Sequence, residues 1–66
     1  MSRTDVTMLV QIAWRAYDRA YPGFHRYLAW NDLLRCISDD MLTDEQALAM
    51  GFLTLLGAYD EWKDNS

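Results

Sequence analysis

A chain of 66 residues with 52% hydrophobic side chains and a formal net charge of −4 makes one domain, and a domain that small buries only about 60% of the surface its unfolded chain exposes, so it needs a staple or a partner. Cys36 is the only cysteine, which excludes an intrachain disulfide; the uncharged runs fall short of the roughly 20 residues that cross a bilayer, and no basic stretch followed by an apolar one opens the chain, so a cytoplasmic protein without a membrane segment is expected. Five arginines against three aspartates leave residues 1–36 at +2, whereas Lys63 alone against seven acids leaves residues 37–66 at −6; the acidic half argues against nucleic acid as a direct ligand and favours a protein partner with a basic surface.

The first element reads as a helix over about 5–20. Val6, Val10, Ala13, Tyr17 and Ala20 recur at spacings of four and three, with Leu9, Trp14 and Ala16 widening the stripe, and Thr4 or Ser2 is placed to cap its start. Arg15 and Arg19 sit one turn apart on the opposite face, an unfavourable pair unless Asp18 or the acidic half of another molecule relieves it.

Pro22-Gly23 breaks the chain. The middle stretch, 24–37, is read as helical through Phe24, Tyr27 or Leu28, Leu34, Ile37 and Met41, with the alternative that Trp30-Asn31-Asp32 ends an irregular piece and starts a shorter helix. His25 and Cys36 are the only histidine and thiol. On one helix they would stand about 16 Å apart along the axis, which excludes a Cys-His dyad and leaves Cys36 as a small buried hydrophobe.

The third helix is expected over about 44–62. Thr43-Asp44-Glu45-Gln46 is a capping box, Leu42 stands at the staple position, and Asp44 and Glu45 suit the positive end of the helix dipole. Between Gln46 and Tyr59 there is no charge at all. Leu48, Phe52, Leu55, Tyr59 and Trp62 make a seam of large residues flanked by Leu56, Ala47, Gly51, Thr54 and Ala58 make a strip of small ones, and Met50, Leu53 and Gly57 occupy the back. Three short helices can cover the seam and the strip but struggle to cover the back, unless the middle stretch wraps around it. Met50, Leu53 and Gly57 are therefore candidates for self-association or docking, and a homodimer or partner-completed bundle is expected.

Asp60, Glu61 and Asp64 lie at the negative end of this helix, where acids are unfavourable. They are candidate partner-binding residues, with Trp62 as an aromatic anchor and Asp39 and Asp40 as a second acidic pair. Nine aromatic rings in so short a chain suggest a binding face, the alternative being a dense core. The acids lack the alternating spacing and central glycine of a calcium loop, no His/Cys set suits zinc, and no phosphate loop or catalytic constellation is present. No metal, no cofactor and no enzymatic activity are expected.

Ala20-Tyr21-Pro22, Trp30-Asn31-Asp32-Leu33 and Ile37, with acids Asp60-Glu61 ending the last helix, resemble the IscX family, small acidic accessory proteins of bacterial iron–sulfur cluster assembly. The resemblance implies a three-helix, winged-helix-like fold that docks through acidic residues on a cysteine desulfurase and interacts weakly with iron. His25 and Arg26 fall where that family is acidic, and the acidic stretch before the last helix is shorter here. In size, acidity, aromatic content and lack of motifs the chain also looks like phage- or plasmid-borne inhibitors of host or defence machinery and like bacterial regulatory adapters. The combined expectation is an all-α, three-helix domain spanning 1–66 that acts by occupying a partner's surface.

Overall fold

The computed structural model describes residues 1–28 and 30–65. Its first helix, α1 (Arg3–Ala20), starts ahead of the apolar stripe because Ser2 is the cap. The Ser2 hydroxyl accepts from the Asp5 amide at 3.2 Å, and the Asp5 carboxylate accepts from the Ser2 amide at 3.1 Å, so two otherwise orphaned N–H groups are satisfied reciprocally. The bonds from the Ser2 backbone and side chain hold the Asp5 carboxyl below its ordinary value. This cap is present above the usual carboxylate range and is lost as pH falls through the lowered value.

The middle stretch is not one helix, and Met41 takes no part in its apolar pattern, lying 88% exposed in the turn before the last helix. Gly23, at φ +94, takes the left-handed conformation that turns the chain after Pro22, and a 3-10 turn, Phe24–Tyr27, follows. Leu28 is extended, at φ −89 and ψ 114, which ends the turn before α2 (Trp30–Ile37) begins. Phe24, fully buried, is the reason for the interruption: its ring fills the space among Tyr17, Tyr59 and Trp62 at one end of the bundle, and the chain then has to reverse to bring Leu33 and Ile37 into the core.

The last helix, α3 (Asp44–Asp64), is capped as its sequence predicts. Thr43 accepts from the Gln46 amide at 3.1 Å and Gln46 returns the bond to the Thr43 amide at 2.9 Å. Helices α1 and α3 run parallel, in a register of about 41 residues: Arg3 meets Asp44 at one end, Val10 lies against Gly51 in the middle, and Tyr17 meets Tyr59 at the other. The core joins Val6 and Val10 of α1, Leu33 and Ile37 of α2, and Ala47 of α3, with Trp30, Leu34, Leu42 and Leu48 packed around it. At the centre of α3 the small residues, Ala47 and Gly51, face inward together with Leu55, whereas Phe52 of the expected large-residue seam reaches the surface. The close approach of helix backbones decides this, because a Cβ on Gly51 would stand 2.7 Å from a methyl of Val10.

One cation ties the open end together. The Arg3 guanidinium donates through Nη1 to the carbonyls of Ile37, at 2.5 Å, and Asp39, at 3.3 Å, and through Nη2 to Leu42, at 2.5 Å, while its Nε donates to the Asp44 carboxylate at 3.0 Å. It thus satisfies carbonyls that the end of α2 and the turn after it leave without intrahelical partners. The described residues form three α-helices and no strand, and no helix among them is long and apolar enough to cross a membrane.

Candidate functional site

The acidic residues do not form one surface. Asp39 and Asp40 lie in the turn before α3 and Asp60, Glu61 and Asp64 near its far end; the 21 residues of α3 put roughly 30 Å between them. All five are exposed. Asp39 also has a local task, since its carboxylate accepts from the Met41 amide at 2.9 Å and shapes the turn. The far group stands against the negative end of the helix dipole, and only Lys63 in the last turn is basic.

Trp62 is held from behind. Its ring packs against Tyr21, Phe24 and Tyr59 at centroid separations of 5.5, 5.9 and 6.0 Å. Tyr17 joins the same group, and Trp14 stacks on Trp30 at 5.2 Å to seal α1 against α2. Seven of the nine aromatic rings thus pack in two groups, a pair and a cluster of five, in which Phe24 is fully buried and the other six are half-buried. Trp62, half-buried, belongs to a platform of rings whose sequence neighbours Asp60 and Glu61 are exposed.

Within that platform a hydrogen bond with Tyr21, partial burial, and the neighbouring Tyr21, Tyr17 and Asp60 push the Tyr59 hydroxyl above its ordinary value of 10. A raised phenol stabilises the fold below pH 10 and loses that contribution as pH climbs through the raised value. In a spectrophotometric titration of tyrosinate, one of the four tyrosines should ionise late, together with the onset of alkaline unfolding; Tyr21→Phe should bring that titration back toward 10.

Met50, Leu53 and Gly57 do share one face. Leu53 is 62% exposed and Met50 41%, and a Cβ on Gly57 would meet nothing within 4 Å. Phe52 and Leu56 extend the face, so the middle of α3 presents apolar groups to solvent over two turns, and the middle stretch does not wrap around to cover them. The sequence reading missed its counterpart on α1, where Met8 and Ile12 are also exposed, Ile12 at 60%; Leu9 and Ala16, expected to widen the inward stripe, lie at its edge and are exposed with them, because the buried contact of α1 narrows to Val6 and Val10. A spacing of four and three through Met1, Asp5, Met8, Ile12, Arg15 and Arg19 carries that signal, on the side opposite the recognised stripe. Ile12, Arg15, Ala16 and Arg19 line one shallow hollow there.

The remaining polar groups offer no reactive geometry. His25 Nδ1, largely exposed, lies 3.5 Å from the half-buried Asp18, and Cys36 is half-buried on α2 rather than fully enclosed. Asp18 turns to His25 and does not relieve the arginines: among the described residues, Arg15 and Arg19 have no carboxylate partner. No group of three or more metal-ligating side chains occurs among the described residues. No protein-family model, curated protein or solved structure matches the chain.

Proposed function

We propose that the chain is a non-catalytic protein-binding module, a small inhibitor or regulatory adapter of the phage or plasmid type, that works by occupying a surface of a basic protein partner. The observation that carries this reading is the uncovered apolar face of α3, Met50, Leu53, Leu56 and Gly57, running directly into the exposed acids Asp60, Glu61 and Asp64. Exposed apolar surface on so small a domain is costly to keep unless it binds something. Acids continuous with it select a partner of opposite sign and speed the encounter. The Tyr21, Phe24, Tyr59 and Trp62 platform stiffens the acidic end, so little ordering entropy is lost on docking.

Affinity capture with the tagged protein tests it. One dominant protein with a basic docking surface is expected, and Glu61→Lys with Asp64→Lys should abolish its recovery while leaving the helical circular dichroism unchanged. Recovery that persists in this variant removes the acidic end from the mechanism. Recovery of a cysteine desulfurase would instead support the iron–sulfur accessory role that the IscX resemblance implies.

A further inference from the structure

The outer faces of α1 and α3 are complementary to each other, and we infer that a second copy of this chain covers them, in a parallel two-fold dimer with α1 of each copy against α3 of the other. The inference rests on the binding-module reading and divides its surface: the second copy takes the apolar face, and Glu61 and Asp64 of each copy remain for the basic partner. The parallel register sets the geometry. An offset of about 41 residues brings Leu9, Ile12 and Ala16 level with Met50, Leu53 and Gly57, all exposed. A two-fold axis parallel to the helices keeps these levels matched between copies, so Leu9, Ile12 and Ala16 of one meet Leu53 and Leu56 of the other.

Charge selects this pairing. Arg19 is level with Asp60, and Arg15 lies one turn before it; among the described residues neither arginine has a carboxylate partner. In the proposed dimer Arg19 flanks the apolar seam beside Asp60 of the other copy, and the costly Arg15–Arg19 pair gains the acid it lacks. A parallel α3–α3 contact would set Asp60 and Asp64 against themselves. A contact of α1 with α1 leaves Leu53 and Leu56 in water. A standard interface of about 800 Å² per partner would take roughly a sixth of the 4631 Å² this chain exposes. Both acidic ends then point the same way, so Glu61 and Asp64 are displayed twice at one pole of the dimer, which raises avidity for a partner with two basic patches.

Sedimentation equilibrium of the purified chain decides the matter without any partner. The expected mass is twice the 7.7 kDa of one chain. Leu53→Glu and Ile12→Glu, both at exposed positions, should each give a folded monomer. Arg19→Glu and Asp60→Arg should each weaken dimerisation by about tenfold or more, and an equimolar mixture of the two should form heterodimers that neither variant's homodimer matches. Orientation is read in a Cys36→Ala background, where mixed Arg19→Cys and Asp60→Cys chains should cross-link by disulfide. A monomer throughout the micromolar range, or a dimer indifferent to Leu53→Glu, overturns the inference. Neither result touches the capture experiment, so the binding-module reading stands or falls separately.

Discussion

Replacing Arg3 by methionine is expected to lower stability by about 2–3 kcal/mol, the worth of charge-assisted hydrogen bonds whose acceptors are left unmatched. The residue is about one-third exposed (32%), so its ion pair with Asp44 contributes little by itself. The loss comes chiefly from the carbonyls of Ile37 and Leu42, which turn toward one guanidinium; the Asp39 carbonyl also accepts from the Leu42 amide, at 3.2 Å, and loses less. Arg3→Lys should recover only a small part, because an ammonium cannot present the same planar fork to three acceptors. For a domain of this size the melting midpoint should fall by roughly 10–20 °C. Thermal unfolding followed by circular dichroism measures it, and a fall of only a few degrees would mean that water replaces the guanidinium without penalty.

The second large effect is at Gly51. Alanine there gains about 1 kcal/mol of helix propensity, yet its Cβ would stand 2.7 Å from Val10 Cγ2 and 3.0 Å from Ile37 Cγ2. Both neighbours are fully buried, and both are β-branched with restricted rotamers, so neither swings aside. Overpacking of this kind costs about 1–3 kcal/mol. Gly51→Ala should therefore be destabilising by about 1–2 kcal/mol, and Gly51→Leu should leave a domain with so small a reserve unfolded. Gly57→Ala is the control, on the same helix with open space around it, and should stabilise the isolated subunit by about 0.5–1 kcal/mol. Urea midpoints of the three variants give the comparison. Equal behaviour of the two alanine variants would contradict the close helix approach.

Gly51 also explains why the apolar surface exists. Close packing of α1 and α2 onto the small-residue side of α3 uses Ala47 and Gly51 as the inner surface, which turns Met50, Leu53 and Leu56 outward. A helix that is apolar nearly all round cannot be satisfied by two neighbours on one side. Apart from Phe52 the surplus carries no ring, because seven of the rings find one another at the far end of the bundle and between α1 and α2.

Local chemistry was enough to read the all-helical class, the Thr43 capping box, the break at Pro22-Gly23 and the outward placement of Met50, Leu53 and Gly57, because caps, turns and the 3.6-residue period act over a few neighbouring positions. Tertiary structure alone decided the rest. Which strip of α3 faces inward depends on how near α1 can come, and that distance is set by Val10 and Ile37, tens of residues from Gly51. Arg3 gains its role only when segments some forty residues apart meet. Those outcomes rest on contacts between distant segments, to which no local pattern in either segment refers.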